Sequence, residues 1–253
     1  MKITKQLVVI TGAGRGLGAA IAKAFASEGA SVVINYYKSE EKALQLAASL
    51  GDKAVAIRAD VRSAKDVQQL FKQAEAHFNM PVTTVVNNAL INYTFDPAAR
   101  KEAGQITWDA YSEQFEGTIK AALNTVQAAL PGMKKQGFGR VINIGTNLLQ
   151  NPVVAYHDYT TAKAALLGFT RNMANELGAD NITVNMVSGG LLQTTDASAA
   201  TSEEVFGIIK SITPLRKITS PEEAADAVLF FASPWARAVT GQNLVVDGGL
   251  VMD

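Results

Sequence analysis

The stretch YHDYTTAK, residues 156 to 163, holds two tyrosines and a lysine whose spacing bears on acid–base chemistry. Tyr159 and Lys163 are four positions apart, so on a helix they share a face, one turn from each other. A free phenol titrates near pH ~10, too high to exchange protons readily at neutrality, and a nearby ammonium favours the phenolate and lowers that value. A phenol so adjusted can protonate a carbonyl oxygen as hydride reaches the carbon, or take the proton in reverse. Y-x-x-x-K is also a common surface-helix pattern, and the pair alone leaves that reading open. His157 and Asp158 do not make a charge relay, because adjacent residues rarely point together and no activated serine follows.

A second chemical feature lies near the start. VVITGAGRGLGAAIA places Gly12, Gly14, Gly16 and Gly18 between a short apolar run and a helical pattern. Glycines permit a tight turn and a close backbone approach to phosphate, and the helix N-terminus adds free N–H groups and a positive dipole end. At the first βα turn this is a dinucleotide-phosphate loop. Readers of NAD usually carry an acidic residue at the end of the second strand, for the ribose 2′-OH. Here that region reads SVVINYYKSEE, with no Asp or Glu from position 31 to 39. Asn35, Tyr36, Tyr37, Lys38 and Ser39 offer neutral or cationic groups instead, and Arg15 inside the loop can reach a 2′-phosphate. The expected cofactor is therefore NADP(H) rather than NAD(H).

The elements that must position these groups follow from the apolar pattern. Runs at 7–10, 31–35, 53–60, 82–88, 140–145, 182–188 and 243–249 read as strands, most of them apolar without alternation, as strands buried on both faces require. Helical stripes lie between them, one at Leu17, Ile21 and Phe25, another at Ala162, Leu166, Phe169, Met173 and Leu177. Alternating β and α segments predict right-handed βαβ units. The expected fold is α/β, a single doubly wound Rossmann-type domain over 1–253 with a mainly parallel seven-stranded sheet. Segments 89–106 and 190–215 carry the least pattern, and loops of such length are usually functional or mobile.

Composition narrows the classes further. The 253 residues hold 23 basic and 23 acidic side chains, which gives no basic surface for nucleic acid or an anionic membrane. The absence of cysteine excludes disulfides, thiol catalysis and cysteine-ligated metal, and with only two histidines, His77 and His157, no histidine-centred metal site is expected. The N-terminal apolar run Leu7–Ile10 is far shorter than a signal segment or a membrane span of roughly 20 residues. A soluble cytoplasmic protein is expected.

The chain resembles the classical short-chain dehydrogenase/reductase family. The matching stretches are TGAGRGLG, NNA (87–89), GRVINIGT (139–146), YTTAK (159–163), ITVNMVSGG (182–190) and TGQNLVVDGG (240–249), in family order and nearly family spacing over essentially the whole chain. The resemblance implies that Tyr159 is the catalytic acid/base and that Lys163 lowers its pKa and bonds the nicotinamide ribose. Thr146 stands where the family usually has a substrate-orienting serine. Asp60 and Val61 are implied to contact the adenine, Asn88 and Ala89 to line the cofactor, and Leu192 and Thr194 to meet the nicotinamide end. Tyr156 belongs to the pocket wall or to packing, and Asn87, Asn185 and Asp247 to the bracing of strands and turns. The overall pattern looks most like the 3-oxoacyl-[acyl-carrier-protein] reductases, which implies an acyl thioester or other small carbonyl or alcohol substrate. It also implies a homotetramer built on helices around 107–135 and 159–178. A sugar or polyol reductase, and a cofactor-binding scaffold with little turnover, are the alternatives.

Three departures stand out. Leu90 replaces the family's glycine in NNAG, so a different loop path is expected. Gly189-Gly190 replaces Pro-Gly after the sixth strand, which is expected to loosen that turn and the segment after it. Thr118 falls where the family has a helix asparagine that holds a relay water, so the relay is expected to run by a modified path, with Asn124 at a different position. The segment INYTFDPAARKEAGQITWDAY offers Asn92, Tyr93, Phe95 and Trp108 as walls of a substrate site, or as the packing of a surface loop.

Overall fold

Seven short apolar runs become seven parallel strands, the inner ones buried on both faces under helices and the two outer ones only partly buried. In the computed structural model, which describes residues 1–193, 195 and 198–252, these are β1 (Leu7–Ile10), β2 (Ser31–Tyr36), β3 (Ala54–Arg58), β4 (Thr84–Asn87), β5 (Gly139–Thr146), β6 (Ile182–Gly189) and β7 (Asn243–Val246). The sheet order is β3-β2-β1-β4-β5-β6-β7, and every pairing is parallel. The sheet is thus wholly rather than mainly parallel.

Alternate residues of a strand point to opposite faces, so a continuous apolar run feeds two cores. Val8, Ile10, Val32, Ile34, Ile142 and Ile144 pack on one face, against Ile21 and Phe25 of α1 (Gly16–Ser27). Val9, Val33, Val85, Val141 and Val184 pack on the other, with Leu70, Phe71, Val126 and Met133. The remaining helices are α2 (Glu40–Leu50), α3 (Ala64–Phe78), α4 (Trp108–Phe115), α5 (Ala121–Gln136), α6 (His157–Leu177), α7 (Glu203–Ile212) and α8 (Pro221–Ala232). The expected stripe on α6 holds: Ala162, Leu166 and Leu177 are buried, and Phe169 and Met173 pack partly buried beside them.

Several strands are shorter than their apolar runs. Lys53 sits in a 3₁₀ turn before β3, and Gly248 and Gly249, both at positive φ, turn the chain away after β7. Between α4 and α5 the helix widens into a π-turn over Glu116–Lys120. Such wide turns cluster at functional positions.

The chain leaves β1 toward β2 and β3, then crosses back to place β4 on β1's other side. The loops after β1 and β4 diverge there, and in open parallel sheets ligands bind in that crevice at the carboxyl ends of the strands.

Candidate active site and cofactor cleft

The loop after β1 is shaped by contacts that only glycine allows. Gly12 has φ +63°, and a Cβ there would lie 2.9 Å from Ala89 Cα. A Cβ on Gly18 would lie 2.6 Å from the Gly12 carbonyl oxygen and 2.8 Å from Ala13 Cα, so α1 can approach the loop only through a glycine. Gly18→Ala is expected to destabilise the fold by about 1–3 kcal/mol through overpacking, read as a lower denaturation midpoint. Gly14 backs the loop, where a Cβ would meet Ser39 Oγ at 2.6 Å.

Thr11, which the sequence did not single out, and Asn35 hold this loop in place. Thr11 Oγ1 accepts from the Asn88 and Ala89 backbone N–H groups at 2.9 and 3.0 Å, and Asn88 Nδ2 donates back to the Thr11 carbonyl at 2.9 Å. Asn35 Oδ1 accepts from the Gly12 N–H at 3.3 Å, while its amide donates to the Ala59 carbonyl at 3.2 Å. Asn35 is therefore buried structure rather than a ribose reader. The pairing of Thr with NNA in the sequence is the signal that could have found Thr11.

One cleft of about 1180 Å³ runs from this loop across the strand ends, larger than the ~300–1,000 Å³ of an ordinary small-molecule site. Gly12, Arg15, Gly16, Leu17, Gly18, Tyr37, Lys38, Ser39, Asp60, Val61, Asn88, Ala89 and Leu192 line it, together with Thr146, Tyr159 and Lys163. Thr194 lies outside the described residues. The N-cap residue of α1, Arg15, makes no side-chain cap bond, and Gly16, Leu17 and Gly18 of the first turn line the cleft, so the positive end of the helix dipole lies at the cleft, where it fits phosphate.

At the far end, Arg58 and Arg62 lie over the Tyr37 ring, their guanidinium carbons 5.4 and 6.0 Å from its centroid. Arg62 also forks onto Asp60, Nε to Oδ1 at 3.0 Å and Nη2 to Oδ2 at 2.7 Å, and this bond holds the Asp60 carboxyl below its usual range. Lys38 Nζ donates to Asn92 Oδ1 at 3.0 Å. The rim where a ribose 2′-substituent would lie thus carries cationic and aromatic side chains, with Asp60 paired to Arg62 and with Glu40 and Glu41 of α2 also on the lining.

At the chemical end, α6 carries Tyr159 and Lys163, both buried, and β5 ends at Thr146. Tyr159 is bonded to Thr146, yet burial pushes its phenol up to about 12, with the Thr146 bond acting in the opposite direction. The expectation that Lys163 lowers this value is not met here. The Lys163 ammonium points at the Ile144 carbonyl, 2.7 Å away, and burial pushes it down to about 8. The phenol is consequently protonated at neutral pH, the form that can donate.

Thr118 does not line the main cleft. It faces a separate cavity of about 10 Å³ bounded also by Thr11, Asn87, Gly117 and Lys163, which is the scale of one water. The π-turn places Thr118 there. Asn124, by contrast, donates to the Val61 carbonyl at 2.9 Å and braces the fold. Leu90 needs no special backbone, because the left-handed residue of the loop is Asn92, at φ 45°. The Gly189-Gly190 turn is braced rather than loosened. Gly189 still pairs with Thr146 and Val246. A Cβ on Gly190 would meet Asn147 Nδ2 at 2.9 Å, and that amide donates to Asp247 Oδ2 at 3.0 Å. Asn87 and Asn185 bond across strands and turns, as expected. Asn92, Tyr93, Phe95 and Tyr156 line the cleft, whereas Trp108 is 73 % exposed and stacks on Tyr111 away from it. Among the described residues there is no helix long and apolar enough to cross a membrane and no cluster of metal-ligating side chains.

The sequence profile of the family described as Enoyl-(Acyl carrier protein) reductase matches residues 12–251. A 3-oxoacyl-[acyl-carrier-protein] reductase FabG from Staphylococcus aureus is 35% identical over 257 residues, covering 100% of both chains. The 3-oxoacyl-[acyl-carrier-protein] reductase of a Synechocystis strain is 35% identical over 256 residues, covering 99% of this chain and 98% of the other. A blue fluorescent protein from a metagenomic library, solved in complex with NADPH, superposes with a TM-score of 0.86 at 33% identity over 100% of both chains. A variant of a Serratia marcescens short-chain dehydrogenase/reductase gives 0.87 at 31% identity over 99% of each.

Proposed function

The chain belongs to the short-chain dehydrogenase/reductase family of nicotinamide-dependent oxidoreductases, and we propose that within it the protein is an NADP(H)-dependent reductase that interconverts a carbonyl and a secondary alcohol. The observation that supports this most strongly is the convergence of a hydroxyl, a buried phenol and a buried ammonium, Thr146, Tyr159 and Lys163, in the cleft that begins at the α1 N-terminus. Hydride transfer is the chemistry that the nicotinamide cofactor supplies when bound.

The chain's own residues do the rest. The glycine loop and the α1 N-terminus hold the diphosphate. Arg15 and Lys38 read the 2′-phosphate, with Tyr37 and Ser39 beside it, and Asp60 and Val61 border the adenine. Asn88, Ala89 and Leu192 line the path to the nicotinamide. Thr146 orients the carbonyl oxygen, Tyr159 donates its proton to that oxygen, and Lys163 binds the ribose and resupplies the proton. Thr118 holds the water through which Lys163 reaches solvent, in the role that the family gives to asparagine. Thr118→Val removes one hydroxyl bond worth about 0.5–1.5 kcal/mol. The expected result is kcat lowered about two- to tenfold, with NADPH affinity and melting temperature unchanged, checked by steady-state kinetics across pH.

For the substrate, a 3-oxoacyl thioester is the first reading, since relatives carry that activity in their names. Val153, Val154, Val205, Ile209 and Leu250 add an apolar outlet suited to an acyl chain. A small ketone is favoured by a different observation, the crowding of Tyr159 by Tyr93 and Phe95. Rates of NADPH oxidation with a 3-oxoacyl thioester and a panel of small ketones separate the two, and a cofactor-binding scaffold would oxidise NADPH with neither. The exposed Trp108–Tyr111 face of α4 supports assembly into the homotetramer that the family resemblance implies.

A further inference from the structure

We propose that Tyr93 is a positioning residue for Tyr159, seated by a strap formed by residues 91–97; the proposal rests on the reading of Tyr159 as proton donor. The Tyr93 ring stacks on the Tyr159 ring with centroids 5.1 Å apart and planes inclined by 25°. Phe95 meets the same ring edge-on at 5.0 Å, and Tyr156 closes the group against Tyr93 and Phe95.

The strap is anchored from several elements. Tyr93 Oη donates to Asp158 Oδ1 at 3.4 Å. Asn92 accepts from Lys38 Nζ at 3.0 Å and donates to Glu113 Oε1 at 2.9 Å. Gln114 Nε2 donates to the Ile91 carbonyl at 3.3 Å, and Ile91 sits where a Cβ on Gly117 would come within 2.7 Å of its Cγ1. Asn92 supplies the left-handed turn, at φ 45°, that delivers Tyr93 onto Tyr159.

The physical role follows from what the other contacts cannot do. The bond to Thr146 fixes the phenol oxygen as a point but leaves the ring plane free. A stacked neighbour fixes the plane, and with it the direction of the O–H. Small displacements of a reacting group cost large rate factors. The strap also keeps water from the ring face. Lys163 of α6 lies over the Tyr159 ring and Tyr93 stacks on it from the strap, while Asp158 and Tyr156 act on Tyr93, and Asp96 and Arg100 act on Tyr156 from the loop. Only the Tyr93 hydroxyl and ring change in the two Tyr93 variants below.

The test compares Tyr93→Leu, Tyr93→Phe and Asn92→Gly with wild type, using NADPH and the best carbonyl of the panel. Tyr93→Leu is expected to lower kcat about tenfold or more, to leave NADPH affinity within about twofold, and to move the alkaline limb of carbonyl reduction to lower pH as water reaches the phenol. Tyr93→Phe keeps the stack and is expected to restore kcat to within about twofold of wild type, since it gives up only one hydrogen bond. Asn92→Gly tolerates the left-handed backbone and removes two anchors at a distance, so kcat falls in the same direction with Tyr93, Phe95 and Tyr156 intact. Unchanged kcat and pH limb in Tyr93→Leu, beside an inactive Tyr159→Phe, would overturn the proposal alone. A gain in kcat/KM in Tyr93→Leu would overturn it too, by making Tyr93 an obstruction. Wild-type turnover in Tyr159→Phe would instead overturn the reading on which it rests.

Discussion

Tyr159→Phe is expected to lower kcat for carbonyl reduction by about 10²–10⁴-fold, the range that a positioned proton donor supplies, while NADPH binding stays within about twofold. The phenylalanine ring keeps the stack with Tyr93 and the edge contact with Phe95, so the change removes the hydroxyl and its bond to Thr146 and little else. The pH dependence has a definite sign. With burial holding the phenol up to about 12, the donor form persists through neutral pH and is lost only in the alkaline range. Reduction therefore holds through neutrality and falls on the alkaline side. Alcohol oxidation needs the phenolate and rises with pH. Lys163, pushed down to about 8 by burial, gives up its charge nearer neutrality than a free lysine does, which suits a group that passes a proton on. Steady-state rates in both directions, for wild type and Tyr159→Phe, check the magnitude and the sign together.

The second large effect concerns the cofactor. The double variant Arg15→Ala, Lys38→Ala is expected to raise the Kd for NADPH about a hundredfold and to leave NADH within about threefold, because it removes two charge-assisted contacts that only the 2′-phosphate can use. Arg62 is a weaker reader, being forked onto Asp60 at 2.7 and 3.0 Å. Fluorescence titration of both cofactors against wild type and variant measures the ratio. Equal loss for NADPH and NADH would place the two cations on the shared part of the dinucleotide and remove the basis for an NADP(H) preference.

The sheet was legible because strands covered on both faces must be apolar throughout, and β1, β2, β5 and β6 are nearly the runs LVVI, SVVIN, RVINIG and ITVNMVS. Their ends were less so. The run read from Lys53 begins inside the 3₁₀ turn at Gly51–Lys53, and the run read to Gly249 continues past the bend made by the positive φ of Gly248 and Gly249. Spacing marked Tyr159 and Lys163 but left a surface pair open, and only the family resemblance added Thr146 and the roles of all three; the cleft gathers the three side chains.

Other features depend on contacts distant in sequence. Thr11 bonds Asn88 and Ala89 across 77 and 78 positions, and Asn35 bonds Ala59 across 24. The π-turn at Thr118 has no residue type that announces it, and the direction of the Tyr159 shift depends on how deeply α6 is buried, which spacing does not carry. The stack of Tyr93 on Tyr159 belongs to a segment with no periodicity at all. The aromatic residues were visible as candidate walls, but their seat on the Tyr159 ring required the loop's path.

The central claim is tested most directly by supplying NADPH deuterated at the transferable position of nicotinamide C4, together with a 3-oxoacyl thioester and the ketone panel, and weighing the product. The account requires one deuterium on the carbinol carbon of at least one substrate, with labelled product formed about 10²–10⁴-fold more slowly by Tyr159→Phe. NADPH binding without label transfer to any member of the panel would contradict it and leave a dinucleotide-binding scaffold as the function.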